Sequence, residues 1–313
     1  MTETRVLVTG ATGTVGSAVV EALADREGVL VRAGVRDVAA ARERFGGGSG
    51  TGETDERTGE SPFSEGIEYV RLDFERPETW GSAFEGIDRL FLVLPPGVPS
   101  DRVLDAAAAA VRVGVDHLVY LSVLGVERNP LIPHWRIERG LRALDVTYTF
   151  LRASFFMQNF LEVHRRDIIE CDEVFVPAGE GKTSFVDARD VGAVGARALL
   201  DPGHANRAYD LTGPAALDYY DVARILAAEL DRPITYPNPS MLRFARRRRV
   251  HGESLGFVLL MLGIYTTARL GLAGRVSDDV ARVLDRPPRS FRAFVADYRE
   301  RFEPGSMAAG DRK

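Results

Sequence analysis

The sequence predicts an α/β fold, a doubly wound parallel sheet with a smaller, mixed and mostly helical C-terminal lobe. Three observations predict it. Over the first 150 residues, short β-branched runs alternate with Ala-rich helical runs, the pattern of successive βαβ units. Several strand runs, LFLVL and LVYLS among them, are almost continuously apolar, as in a sheet buried on both faces. The first strand also runs directly into a glycine-rich turn that opens a helix.

The elements follow in order. Strands are expected at 5–9 (RVLVT), 29–35 (VLVRAGV), 67–72 (IEYVRL), 89–94 (RLFLVL), 117–122 (HLVYLS) and 146–151 (VTYTFL). Between them helices are expected at 15–25, 38–45, 78–84, 101–113 and 134–144, the fourth built on a run of alanines. Residues 46–66, GGGSGTGETDERTGESPFSEG, break the pattern with seven glycines and one large apolar side chain, Phe63. Such a stretch buries too little surface to offset its ordering entropy. It is expected to be a flexible surface insertion. Beyond residue 150 the pattern loosens: strand-like FVP at 175–177 and SFV at 184–186, a helix from about Asp190, a strand at 208–211 and a helix at 219–230. The rest is helical between Pro-rich breaks at 233–239 and 286–288. The domain reading is therefore a dinucleotide-binding domain over 1–152 and a substrate-side lobe over 153–313, interleaved with the core.

Composition excludes several classes. A net charge of −5 gives no bulk attraction to nucleic acid or an anionic membrane. One cysteine, Cys171, excludes an intrachain disulfide framework and a cysteine-rich metal site. The five histidines show no close metal-ligand spacing. The longest apolar run, 257–268, is too short to span a bilayer. The N-terminus has no charged-then-apolar signal pattern, so a cytoplasmic protein is expected. Of 40 basic residues only Lys182 and Lys313 are lysine. A GC-rich coding sequence explains that skew, but any mechanism needing an internal lysine must use Lys182.

Residues 5–16, RVLVTGATGTVG, place glycines at 10, 13 and 16 between a strand and a helix. In a Rossmann-type unit these serve the tight turn, the close approach of backbone to a pyrophosphate, and the packing of helix on strand. The helix N-terminus offers unpaired N–H groups to the phosphates. Arg36, at the end of the second strand, suits the 2′-phosphate of NADP, while Asp37 beside it suits the ribose hydroxyls of NAD. NADP(H) is favoured over NAD(H).

TGATGTVG resembles the nucleotide fingerprint of the extended and atypical short-chain dehydrogenase/reductases. VRLDFERPETW, LFLVLPPGV, LVYLSVLGVERN, VTYTFLRASFFMQNFLE and GKTSFVDARDVGAVGARAL resemble its NmrA-like branch, over residues 5 to about 303. That branch holds NADPH-dependent quinone and dye reductases and NADP-sensing regulators. The resemblance implies that Gly10, Ala11, Thr12, Gly13, Thr14 and Val15 wrap the pyrophosphate and that Arg36 meets the 2′-phosphate. It also implies that Asp73 and Phe74 border the adenine, that Leu94 and Pro95 pass the ribose, and that Ser122 lies near the nicotinamide.

Typical superfamily members use a Tyr-x-x-x-Lys pair, which this chain lacks. Two Tyr-x-x-x-Arg runs, at Tyr148/Arg152 and Tyr220/Arg224, lie outside the expected helix. That helix carries His134 and Glu138, whose i, i+4 spacing puts both on one face. The expectation is that Glu138 orients the imidazole and raises its pKa, so that His134 supplies a proton. GEGKT at 179–183 is a P-loop look-alike without the required first glycine. Arg246–Arg249 read as a solvated helix face rather than a nucleic-acid patch. Phe155, Gln158, Asn159 and Lys182 are the substrate-side candidates, the two amides fixing a flat or apolar molecule.

The leading expectation is an NADPH-dependent oxidoreductase acting on a small apolar molecule such as a quinone. The alternative is a non-catalytic NADP(H)-sensing regulator acting through a protein partner. Nucleotide-sugar epimerase or dehydratase chemistry ranks last, because it relies on the missing tyrosine and lysine. No nucleic-acid or membrane partner is expected.

Overall fold

The computed structural model describes residues 3–24, 26–46 and 67–303. All of the expected insertion except Gly46 lies outside the described residues. Two compact units are formed, one from Met1–Ala153 with Ala188–Leu211, the other from Ser154–Asp187 with Thr212–Lys313.

The first unit holds the sheet. Its strands are β1 (Thr4–Thr9), β2 (Val29–Val35), β3 (Ile67–Arg71), β4 (Arg89–Leu92), β5 (His117–Val123), β6 (Thr147–Ala153) and β7 (Arg207–Leu211). They lie in the order β3-β2-β1-β4-β5-β6-β7, and every pairing is parallel. Strand β4 stops at Leu92, two residues earlier than expected and ahead of the pair Pro95–Pro96; proline cannot donate to a ladder. The strand at 208–211 joins the same sheet as its edge, so the chain returns to the first unit after leaving it.

Period-2 alternation sorts the strands between two helical layers. Leu90, Leu92, Leu118, Tyr120 and Phe150 pack with residues of α3 (Trp80–Phe84), α4 (Ser100–Arg112) and α5 (Pro133–Arg142). Intervening residues face the other layer, α1 (Thr14–Ala24) and α8 (Ala188–Leu200). A Cβ on Gly195 of α8 would stand 3.2 Å from both the Phe91 ring and Val19 of α1. At Gly192 it would be 2.6 Å from the Ala18 backbone, so α8 and α1 touch at main-chain distance. Helix α2 (Val38–Gly46) follows β2.

The second unit has its own core, in which Phe160, Phe175, Phe185, Tyr219, Phe244 and Phe291 are buried. Around it lie α6 (Asn159–Glu162), α7 (Arg165–Cys171), α9 (Tyr219–Leu230), α10 (Met241–Val250), α11 (Leu255–Arg269), α12 (Asp279–Leu284) and α13 (Phe291–Asp297). Asp218, Ser240, Ser254 and Ser290 each cap a helix by accepting from the N–H three residues on, the role these residue types favour. The expected strands at 175–177 and 184–186 are absent. Only isolated bridges form there or nearby, Glu173 with Thr235, Thr183 with Leu217 and Phe156 with Val186. Phe175 and Phe185 are apolar because they fill this core, and burial without a paired neighbour does not make a ladder. Among the described residues, no helix is long and apolar enough to cross a membrane.

Candidate functional site

The point where strand order reverses lies between β1, which continues to β2, and β4, which continues to β5. In open parallel sheets the crevice outside the carboxyl ends at this point is where ligands bind. Thr9, the last residue of β1, clasps the two strands. Its Oγ1 donates to the Phe91 carbonyl at 3.0 Å and accepts from the Val93 N–H at 3.0 Å.

The glycine turn grows from that clasp. Gly10 sits at φ +62°, and a Cβ there would meet Val93 at 2.8 Å. The Gly13 N–H closes the turn on the Gly10 carbonyl at 2.9 Å, and Ser17 N–H then bonds Gly13 O at 2.9 Å as α1 begins. Gly16 is the tightest position: a Cβ would lie 2.1 Å from Gly10 O and 2.7 Å from Gly10 C. Ala11 and Val15 turn their side chains into the core, Gly13 is exposed, and Thr12 and Thr14 are half-buried. The turn thus presents backbone rather than side chains, together with the positive end of the α1 dipole. That is the chemistry a pyrophosphate requires.

Arg36 follows β2 directly and is exposed, with no hydrogen bond or ion pair to a described residue. Asp37 is engaged elsewhere. Its Oδ1 accepts from Ala40 N–H at 3.0 Å and its carbonyl from Ala41 N–H, so it caps the start of α2. Asp73 forms a local turn, with Oδ1 accepting from Glu75 N–H at 3.0 Å and its carbonyl from the Trp80 indole at 2.9 Å. The Phe74 ring is buried in the sheet core, so only its backbone faces outward. Leu94 and Pro95 are half-buried in the loop after β4.

The helix expected to hold the catalytic pair is α5, and the structure revises that pair. Tyr120 and Ser122 on β5, and Phe150 and Arg152 on β6, share the face that α5 covers, and Ser122 and Arg152 are register partners. Glu138, buried, accepts from Ser122 Oγ at 2.7 Å and from Arg152 through Nε at 3.0 Å and Nη2 at 2.8 Å. Arg142, one turn on, adds a contact at 3.3 Å. Both carboxylate oxygens are therefore occupied without His134, and Glu138 does not orient the imidazole. The hydrogen bond to Glu138 raises the Arg152 pKa further.

The partner of His134 is Tyr120, which the sequence reading did not single out. Its hydroxyl lies 2.7 Å from His134 Nδ1. Burial raises the phenol's pKa and lowers that of the imidazole to about 4, although the Glu138 charge opposes the latter. The expectation of a raised imidazole pKa is overturned: desolvation outweighs a carboxylate whose charge Arg152 already neutralises. Both groups are neutral near pH 7. Nδ1 is the only partner of the buried Tyr120 hydroxyl among the described residues, so the hydroxyl donates; otherwise its hydrogen would be stranded. This fixes the tautomer with the proton on Nε2. Tyr120 was detectable in principle, two residues before Ser122 and hence on the same face.

In the second unit, Gln158 is buried and its Nε2 donates to Asp187 Oδ1 at 2.9 Å, so that amide is already satisfied internally. Phe155 and Asn159 are half-buried, and Lys182 is exposed. The glycine before Lys182 has a packing reason, since a Cβ on Gly181 would stand 1.9 Å from the Ala268 carbonyl. No helix follows Thr183, which closes the P-loop reading.

Known proteins share the sequence pattern and the fold. The model of the NmrA-like family matches residues 2–244. An NAD(P)H azoreductase of Xenophilus azovorans is 33% identical over 303 residues, spanning 95% of this chain and 99% of its own. The crystal structure of an NADPH-dependent quinone oxidoreductase from Escherichia coli superposes with a TM-score of 0.76 at 25% identity, covering 93% of this chain and 98% of that one. Citrobacter sp. triphenylmethane reductase, complexed with NADP(H), shares the fold at a TM-score of 0.76 and 23% identity, over 94% of this chain and 99% of its own.

Proposed function

This chain belongs to the NmrA-like family, and from that premise we propose that it is an NADPH-dependent oxidoreductase delivering hydride to a small apolar molecule such as a quinone. The observation that carries the reading is the switch-point turn, where Gly16 admits no side chain, with exposed Arg36 at the end of β2, the strand paired with β1. Full-length similarity to an NAD(P)H azoreductase supports the redox class. The nicotinamide cofactor, when bound, supplies the hydride.

The chain's own groups bind and orient. The backbone of Gly10, Ala11, Thr12, Gly13, Thr14 and Val15 holds the pyrophosphate. Asp73 and Phe74 border the adenine, Leu94 and Pro95 follow the ribose, and Ser122 stands at the nicotinamide end. Arg36 pairs with the 2′-phosphate, while Asp37 uses one carboxylate oxygen to cap the start of α2. Phe155, Asn159 and Lys182 remain the substrate-side candidates. Arg36→Ala is expected to raise the KM for NADPH about 10- to 100-fold while leaving that for NADH nearly unchanged. Equal effects on both cofactors in steady-state assays would remove Arg36 from the 2′-phosphate.

His134 takes a different role from the proton source first expected. As a neutral imidazole with Nδ1 held by Tyr120, it donates its Nε2–H to the oxygen on which charge develops, and solvent completes the protonation. His134→Gln is expected to lower kcat about 10- to 100-fold with little change in KM. Because the imidazole pKa lies at about 4, the wild-type kcat is expected to stay level from about pH 6 to about pH 8. Unchanged turnover in the variant, or a wild-type ionisation near pH 6.5, sinks this assignment. The missing Tyr-x-x-x-Lys pair favours the second reading, an NADP(H)-sensing regulator that binds a protein partner and turns nothing over.

A further inference from the structure

Helix α11 has the composition of an interior helix, yet most of its surface faces solvent. Its buried stripe is narrow: Val258, Met261, Tyr265 and Ala268. The other turns carry Leu255, Phe257, Leu259, Leu260 and Ile264, all exposed, with Leu255 60% open and Leu259 and Leu260 each 59%. A helix that is apolar all round belongs against a second apolar phase.

The preceding helix supplies charge. Residues 241–269 hold six arginines and one acidic residue, Glu253. Arg247 and Arg248 point inward. Arg248, buried, donates to Asp167 at 2.8 Å, to His164 Nδ1 at 2.9 Å and to Glu253 at 3.1 Å, while Arg247 reaches Glu173 at 2.6 Å. His164 also bonds Tyr265 of α11, and Phe244 of α10 meets Tyr265 edge to face at 5.7 Å. These contacts lock α10 and α11 together and to α7. Arg243, Arg246 and Arg249 are left exposed on α10, and no salt bridge joins them to a carboxylate among the described residues.

We propose that the exposed faces of α10 and α11 form a docking surface for an anionic lipid bilayer, with the leucines and Phe257 entering the acyl boundary and the arginines meeting headgroup phosphates. Charge complementarity selects this occupant. A second copy packed through the same face would offer these arginines no free carboxylate from 241–269, since Glu253 is held by Arg248. With 15 residues, α11 is about 22 Å long and lies in the interface rather than spanning it. The net charge of −5, which set the expectation of no membrane contact, averages over this local basic patch.

The test needs neither cofactor nor hydride acceptor, so its outcome is separate from the redox reading. The full-length protein is sedimented with phosphatidylcholine vesicles containing phosphatidylglycerol and with pure phosphatidylcholine vesicles. Binding is expected about 10-fold tighter to the anionic vesicles and weaker as salt rises. Leu259→Glu/Leu260→Glu is expected to abolish binding, and Arg243→Glu/Arg246→Glu to erase the anionic preference. These side chains are exposed, so both variants are expected to keep the wild-type melting transition; the arginine variant decides alone if the other does not fold. Absent binding, binding without anionic preference, or binding unaffected by the substitutions overturns the proposal. A dimer in light scattering that Leu259→Glu/Leu260→Glu dissociates assigns the face to a second copy and overturns it equally.

Discussion

Glu138→Ala is expected to lower the unfolding free energy by about 3–5 kcal/mol, the scale for removing one partner of a buried ion pair. The cost comes from what remains. The Arg152 side chain is 13% exposed, and without Glu138 it keeps the longer contact to Glu127 at 3.5 Å and the charge of Asp210 on β7. The Ser122 hydroxyl, also buried, loses its acceptor. Glu138→Gln retains shape and an acceptor and is expected to cost roughly half as much. Arg152→Ala is expected to be comparably damaging alone, yet to add little on top of Glu138→Ala, because the two form one unit. Urea midpoints for the four-protein cycle measure this. A loss below about 1 kcal/mol for Glu138→Ala would mean that the pair does not anchor α5 to β5 and β6. The same anchor holds His134 against Tyr120, so surviving Glu138→Ala protein is also expected to lose kcat.

Gly16→Val is expected to weaken NADPH binding by about 100-fold or more, equivalent to about 2.7 kcal/mol. A side chain at Gly16 would meet Gly10 O at 2.1 Å and Ala11 Cα at 3.0 Å. These are backbone atoms of the turn itself, so no rotamer relieves the clash. Either α1 lifts away or the turn opens, and both displace the N–H groups that face the pyrophosphate. Gly13→Ala places its Cβ 3.2 Å from Gly10 O and is expected to cost less, about 10-fold. Fluorescence titration with NADPH reads both. Wild-type affinity in Gly16→Val would move the cofactor site away from this turn.

The parts of this account legible in the sequence are those with local causes. Strand runs such as LFLVL are apolar because both sheet faces are covered, and the turn at Gly10–Gly16 needs glycine at positions where neighbouring backbone leaves no space. The misreadings involve partners distant in the chain. His134 and Glu138 do share a helix face, but that face meets two strands. Tyr120 takes the imidazole, and Arg152, dismissed as a Tyr-x-x-x-Arg look-alike, takes the carboxylate. The register that sets Ser122 opposite Arg152 has no signature in either strand alone. Gln158, a substrate-side candidate by sequence, is another such case, since its partner Asp187 lies 29 residues on. FVP and SFV mimicked strands because a buried aromatic core and a two-faced sheet call for similar residues.

The most direct test of the central claim is a steady-state assay of NADPH consumption by the purified wild-type protein against a panel of quinones. Acceptor-dependent loss of NADPH absorbance is expected, slower with NADH, and reduced about 10- to 100-fold in His134→Gln. Tight NADPH binding with no oxidation against any quinone would contradict it and leave the chain a cofactor-sensing protein.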